Sequence, residues 1–91
     1  MADQIARRVV VSGRVQGVFF RDSCREEADA AGVAGWVRNT PSDEVEAWFE
    51  GNPEAVERLV AWCREGPASA HVQGVDVSNE DPTGERGFRV L

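Results

Sequence analysis

Apolar and polar side chains alternate along several short stretches of the chain, which is the pattern of half-buried β-strands. In the first stretch, Val9 and Val11 fall on one face and Val10 on the other. Gly74 interrupts the alternation of a later stretch and predicts a β-bulge there. The predicted strands cover residues 7–12, 35–39, 44–51, 72–78 and 88–91, after a loose leader of residues 1–6.

Two longer stretches repeat their apolar residues every three or four positions, which predicts amphipathic helices. The second helix begins with Asn52 as its N-cap and Pro53 at its first position, and a Gly-Pro pair at residues 66–67 ends it. The first apolar stripe consists of Phe20, Cys24, Ala28 and Ala31, and the second consists of Val56, Leu59, Val60 and Cys63.

The first helix is predicted over residues 22–31, with Gly32 as its C-terminal stop. Ser23 and Glu26 have the spacing of a capping box. We therefore expect the first regular turn of this helix to begin one or two residues late.

The order of these elements is β-α-β-β-α-β, followed by a short C-terminal strand. The strands at 35–39 and 44–51 are joined by a turn at 40–43 and should pair as an antiparallel hairpin. Right-handed crossovers then place the first and third strands side by side, with both helices on one face. This predicts an α+β fold, a ferredoxin-like sandwich with an antiparallel sheet, in which residues 1–91 form a single domain. The fold hosts many functions and decides none of them.

A glycine-bounded loop at residues 13–21, with the sequence Gly-Arg-Val-Gln-Gly-Val-Phe-Phe-Arg, joins the first strand to the first helix. Such a connection turns backbone N–H groups and a helix N-terminus toward the same space, which favours anion binding. Arg21 lies at the helix start, where the macrodipole disfavours a cation by a few tenths of a kcal/mol to about 1. A bound anion would explain that placement. The alternative is that Arg21 is solvated or pairs with a neighbouring carboxylate such as Asp22.

The composition excludes several classes of protein. The chain has 91 residues, 42% of them apolar, and a net charge of −6. No stretch approaches the roughly 18 apolar residues that a membrane span needs, and residues 1–4 lack the features of a signal peptide. We therefore expect a cytoplasmic monomer without a membrane partner. The acidic charge argues against a nucleic-acid partner.

The residues that usually bind metals are sparse and scattered. Cys24 and Cys63 are the only cysteines, and His71 is the only histidine. They form neither a zinc-ligand spacing nor a Cys-x-x-Cys pair, so we expect no metal site. Both cysteines are expected in the core, with a disulfide between them left open. His71 is expected at a strand end on the surface.

Two separate signatures give the chain a family resemblance. Residues 13–21 resemble the first signature of the acylphosphatases, and residues 35–39 (Gly-Trp-Val-Arg-Asn), followed by Val-Glu-Ala at 45–47, resemble the second. The element order and nearly the whole length agree as well. The resemblance implies hydrolysis of the carboxyl–phosphate bond of a small-molecule acyl phosphate, without a metal or an organic cofactor.

The resemblance also implies roles at the matching positions. Arg21, which ends the first signature, would bind the phosphate, and Asn39, which ends the second, would orient the attacking water. A carboxylate is a good leaving group, so the chemistry needs positioning and charge stabilisation rather than a protein acid. The loop would supply further phosphate-binding donors from the backbone of Val15, Gln16, Gly17, Val18, Phe19 and Phe20.

Other functions compete with this one. A non-catalytic anion-binding or regulatory domain would keep the loop, but it has no evident need for Asn39. By itself, Asn39 before a turn would more often be a turn residue. An RNA-binding module would need exposed aromatic residues on its central strands and a basic face.

Two departures from the family pattern concern the surroundings of these residues. The hairpin after Asn39 commonly carries Asp-Gly in the family, whereas Ser42 and Asp43 stand there in this chain. This puts the turn type, and with it the placement of Asn39, in question. The chain also ends in Leu91 where an aromatic residue is common.

Overall fold

The computed structural model describes residues 3–91, which form five strands and two helices. The order β-α-β-β-α-β plus a terminal strand confirms the predicted fold class. The elements are β1 (Ile5–Arg14), α1 (Phe20–Ala31), β2 (Ala34–Asn39), β3 (Val45–Gly51), α2 (Pro53–Cys63), β4 (His71–Glu80) and β5 (Phe88–Val90).

The strands form one sheet in the order β4-β1-β3-β2-β5. The predicted neighbours β1 and β3 pair antiparallel, as do β1 with β4 and β2 with β3. The short β5 differs, because it pairs parallel with β2. The sheet is therefore mixed: the chain crosses from β4 at one edge to β5 at the other and runs there in the same direction as β2.

Both helices pack on the same face of the sheet, since each contacts β3 and they contact each other. Helix α1 covers β2 and β5, and α2 covers β1 and β4. The predicted helical stripes supply the buried residues Phe20, Cys24, Ala28, Val56, Leu59, Val60 and Cys63. The strands contribute Val9, Val11, Val37, Val45, Ala47 and Phe49. Neither helix of residues 3–91 is long and apolar enough to cross a membrane.

The first strand starts earlier than predicted. Ile5 and Ala6 belong to β1 and pair with Gly51 and Glu50, and Ala6 is fully buried. Residues 1–6 carry no alternating pattern, but pairing with β3 extends the strand back to Ile5. Residues 1–2 of that leader lie outside the described part of the chain.

The predicted bulge in β4 is confirmed. Ser12 stands opposite Gly74, but the next residue, Gly13, stands opposite Val72. Gln73 is therefore the extra residue of β4. The bulge lies where β1 leads into the glycine-bounded loop.

The predicted late start of α1 is wrong. The helix begins at Phe20, and its N-cap residue Phe19 is left-handed, with φ 63° and ψ 25°. The Ser23 N–H donates to the Phe19 carbonyl at 3.1 Å, so Ser23 lies inside the first turn and cannot cap it. No side chain caps this N-terminus. Gly32 ends the helix in the left-handed conformation, as predicted.

Both cysteines lie in the core, as predicted, and both are free thiols. A hydrogen bond with Cys63, together with burial, raises the pKa of the Cys24 thiol well above its ordinary value. Cys24 is therefore protonated at neutral pH. His71 is exposed at the first position of β4, as expected.

A buried carboxylate fixes the loop before β5. Glu50 is 2% exposed and accepts backbone hydrogen bonds from Thr83 (2.9 Å), Gly84 (2.8 Å) and Glu85 (3.0 Å). Burial alone would raise the pKa of Glu50, but these bonds and one from Trp48 lower it below its ordinary value. The ionised Glu50 thus secures the crossover that delivers β5 to the edge of β2.

Candidate active site

One cavity, of about 330 Å³, lies between the loop after β1, the end of β2 and β5. This volume is near the lower end of the roughly 300–1,000 Å³ of ligand pockets and suits a small ligand. Arg21 and Asn39, which lie apart in sequence, both line it. The other lining residues are Val15, Gly17, Phe19, Phe20, Asp22 and Val90.

The loop over residues 15–19 brings its backbone to the cavity because two of its side chains are buried. Val15 is 1% exposed and Val18 is 5% exposed, and both belong to the hydrophobic core. Gly17 lies between them with φ 74°. A Cβ at Gly17 would meet no atom within 4 Å, so the position needs glycine for its left-handed backbone and not for space.

The loop ends at the N-terminus of α1, which faces the same cavity. The first N–H groups of a helix have no acceptor within the helix, and no side chain caps them here. The positive end of the helix dipole therefore remains available to an anion.

Phe19 is the most unusual residue of the loop. It is a bulky residue in the left-handed conformation, and its side chain is 76% exposed. A non-glycine residue held in this region costs on the order of 1–3 kcal/mol. Such strained positions concentrate at ligand sites, and Phe19 lines the cavity.

Arg21 is the second residue of α1 and is half-buried. Its Nη1 donates to the main-chain oxygen of Leu91 at 3.0 Å. No Asp or Glu side chain of residues 3–91 forms an ion pair with it, so the alternative of pairing with Asp22 is not realised. The guanidinium is thus oriented by the end of β5 while its charge remains available to a ligand.

Asn39 is the last residue of β2 and stands opposite Val45 of β3. The turn beyond it is closed by a hydrogen bond from the Thr40 N–H to the Glu44 carbonyl, at 2.8 Å. Within residues 3–91 the Asn39 side-chain amide has no hydrogen-bond partner. It is therefore free to bind a ligand or a water in the cavity.

The turn after Asn39 closes without a glycine at Ser42 or Asp43. Asp43 takes the left-handed conformation, with φ 65°. Aspartate tolerates this region better than most residues. The Thr40 hydroxyl also accepts from the N–H groups of Ser42 (3.3 Å) and Glu44 (3.2 Å). The departure at Ser42 and Asp43 is thus accommodated within the turn.

The side chain of Gln16 makes a contact that the sequence did not reveal. Its Nε2 donates to the carbonyl oxygens of Thr40 and Glu44, each at 2.9 Å. These bonds join the loop after β1 to the turn that follows Asn39. No local sequence pattern indicates this contact, because the partners are 24 and 28 positions away. Of the predicted loop residues, Gln16 and Val18 do not line the cavity.

The other arginines near the signatures do not line the cavity. Arg38 pairs with the buried Glu46 at 2.6 Å, and Arg8 binds the same carboxylate. Burial raises the pKa of Glu46, but the hydrogen bonds from the two arginines outweigh it and hold the pKa below its ordinary value. Arg14 is exposed at the end of β1. Arg21 is therefore the one cation of residues 3–91 that lines the cavity.

Comparison with known proteins identifies the family. The acylphosphatase family model matches residues 7–90. The chain belongs to the acylphosphatase family. Both signatures, and hence Arg21 and Asn39, lie within the matched part.

Individual acylphosphatases support the assignment. The chain is 62% identical to an acylphosphatase of Rubrobacter xylanophilus, over 91% of this chain and 76% of the relative. It is 53% identical to one of Gloeobacter violaceus, over 100% of this chain and 98% of the relative. The solved structure of an acylphosphatase from Coxiella burnetii superposes with a TM-score of 0.93 at 36% identity, covering 98% of this chain and 94% of that one.

Proposed function

We propose that Arg21 and the loop backbone hold the phosphoryl group of the substrate and that Asn39 orients the water that attacks it. The reaction follows from family membership: an acylphosphatase hydrolyses the carboxyl–phosphate bond of an acyl phosphate to a carboxylate and inorganic phosphate. One observation carries the proposed roles. Arg21, Asn39 and an uncapped helix N-terminus meet at one small cavity.

The phosphoryl group fits the positive end of the cavity. Phosphoryl transfer depends mainly on positioning and on stabilising charge at the equatorial oxygens. The N–H groups of residues 15–20 and the helix dipole supply fixed partial charges, and the planar guanidinium of Arg21 can bind two oxygens at once. The hydrogen bond to Leu91 restricts Arg21 before substrate binds, which reduces the entropy lost on binding.

Asn39 provides the second part of the mechanism. Its amide oxygen can accept a hydrogen bond from water and its NH₂ group can donate to the substrate, which holds the water for in-line attack on phosphorus. A side-chain amide is a poor base, so we assign the proton of the water to a phosphate oxygen of the substrate. The bond to the carboxylate breaks without a protein acid, because a carboxylate is a good leaving group.

The proposed mechanism uses no cofactor, because the charge of the phosphoryl group is met by Arg21, the N–H groups and the helix dipole. No three His, Cys, Asp or Glu side chains of residues 3–91 come together as a metal site. We further propose that residues 1–91 act as one cytoplasmic, monomeric domain without a nucleic-acid or membrane partner, in keeping with the net charge of −6.

The experiment is hydrolysis of benzoyl phosphate by the purified chain in EDTA, with Asn39→Ala measured beside it. We expect turnover that survives EDTA and falls about 100-fold in the variant. Dependence on added Mg²⁺ would contradict the metal-free mechanism. Absence of turnover, with inorganic phosphate still binding, would instead leave a non-catalytic anion-binding domain.

A further inference from the structure

We propose that an apolar rim, formed by Phe19, Val90 and Leu91, binds the acyl group of the substrate. The rim would favour acyl phosphates with a bulky apolar acyl group over acetyl phosphate. The inference rests on the proposed function, since it names the class of acyl phosphate that the same site takes.

Two of the three exposed large hydrophobic residues in the described part of the chain lie at this cavity or next to a residue that lines it. Among residues 3–91 the exposed large hydrophobic residues are Phe19 (76%), Leu91 (54%) and Val77 (38%). Phe19 lines the cavity, and Leu91 accepts the hydrogen bond of Arg21. Val77 lies on β4, at the sheet edge opposite β5. Exposed apolar surface next to a polar cavity is typical of a ligand site.

The sheet places the other two members of the rim beside the catalytic residues. Val90 stands opposite Val37 in the parallel pair of β5 with β2, and the Leu91 N–H donates to the Val37 carbonyl at 2.9 Å. Since the strands run parallel, the C-terminal end of β5 lies at the same end of the sheet as Asn39, the last residue of β2. In an acyl phosphate a single oxygen joins the phosphorus to the acyl group. A phosphoryl group bound at Arg21 therefore leaves its acyl group near the mouth of the cavity.

The conformation of Phe19 is independent evidence for a ligand. Asparagine or glycine would take the left-handed backbone of this position with less strain. An exposed phenyl ring gains nothing from the protein core, which instead buries the neighbouring Phe20. A strained residue with an outward aromatic ring, lining the cavity, is accounted for when the ring packs against the substrate.

The test compares two non-hydrolysable analogues by calorimetry. Phenacylphosphonate and acetonylphosphonate replace the bridging oxygen of benzoyl and acetyl phosphate by CH₂. We expect the chain to bind the phenacyl compound about tenfold more tightly, the scale of a modest apolar contact. Phe19→Asn accepts the left-handed backbone, so it removes the ring without adding strain. In this variant we expect the preference for the phenacyl compound over the acetonyl compound to fall to about threefold or less.

Matched variants and substrates separate the possible failures. Phe19→Tyr, which keeps the ring, and Val77→Ala, which removes an exposed apolar side chain far from the cavity, should keep the wild-type ratio. Equal binding of the two analogues, or an unchanged ratio in Phe19→Asn, would overturn the inference even if benzoyl phosphate is hydrolysed. A ratio that depends on Phe19, without hydrolysis of either acyl phosphate, would support the rim while the proposed catalytic function fails.

Discussion

The two helices differ at their N-termini: a side chain caps α2, and none caps α1. At α2, Asn52 accepts a hydrogen bond from the Glu54 N–H at 3.0 Å, and Pro53 occupies the first turn. At α1 the N-cap is Phe19, which is left-handed and provides no side-chain acceptor. Both helices carry an acidic residue in the first turn, Glu54 in α2 and Asp22 in α1, but α1 also carries the cationic Arg21 at its second position.

The difference separates a helix start built for stability from one left open for a ligand. An N-cap such as Asn52 contributes about 1 kcal/mol, and an acidic first turn adds a favourable interaction with the dipole. Helix α1 keeps an acidic first turn through Asp22, but it lacks the side-chain cap, carries Arg21 against the dipole and adds strain at Phe19. The compensation we propose is a bound phosphoryl group, which would occupy the free N–H groups and neutralise Arg21.

The largest expected effect comes from removing the cation at the open helix start. Arg21→Ala should lower kcat/KM for benzoyl phosphate at least about 1,000-fold and weaken inhibition by inorganic phosphate in parallel, because it removes the charge that we propose binds the phosphoryl oxygens. The control is Arg25→Ala, an exposed arginine one turn further along α1 that pairs with Asp29 at 3.8 Å. Equal losses in both variants would point to a general charge effect instead.

The next largest effect separates binding from catalysis. Asn39→Ala should lower kcat by about 100-fold, the scale of losing one positioned transition-state contact. The inhibition constant of inorganic phosphate should change little, since Arg21 and the loop remain. Asn79→Ala, at an exposed position on β4, serves as the control. A parallel loss of phosphate affinity and turnover in Asn39→Ala would contradict the water-orienting role.

A smaller effect is expected where the loop is joined to the hairpin. Gln16→Ala removes two hydrogen bonds of 2.9 Å and lets the turn after Asn39 shift relative to the loop. We expect kcat to fall about tenfold, because small displacements of a positioning group are costly. Phosphate inhibition should fall less than kcat. If Gln16→Ala lowers stability alone, with kcat unchanged, the contact is only structural.

The smallest effect on activity is expected at the capped helix. Asn52→Ala should lower the free energy of unfolding by about 1 kcal/mol and leave kcat within about twofold. Asn52→Ser keeps a cap and should restore most of the stability in urea titrations. A large loss of activity in Asn52→Ala would show that the two helix starts are not functionally distinct.

Much of the fold could be predicted from the sequence, because the patterns that indicate strands, helices and caps are local. Alternating residues located the strands, the helical stripes located the core, and Asn52 with Pro53 located the start of α2. The predicted start of α1 is wrong because Ser23 and Glu26 have the spacing of a capping box without forming one, and residue propensities do not indicate the left-handed backbone at Phe19. A bulky residue there contradicts its backbone preference, and such conflicts are expected at functional sites.

What the sequence could not provide were contacts between distant segments. The bridge from Gln16 to the hairpin and the hydrogen bond from Arg21 to Leu91 join residues up to 70 positions apart. The burial of Glu50 under the 83–85 loop is of the same kind, since an alternating strand pattern marks Glu50 as polar and outward. These contacts depend on the sheet order, in which β5 arrives beside β2.

The most direct test of the contrast between the two helix starts is an NMR titration of the amide groups with inorganic phosphate. We expect the largest shifts at the N–H groups of residues 15–21, with Arg21→Ala abolishing them, and no comparable shifts at residues 54–56 at the start of α2. Shifts centred elsewhere, or of equal size at both helix starts, would contradict the assignment of the open N-terminus of α1 as the phosphate site.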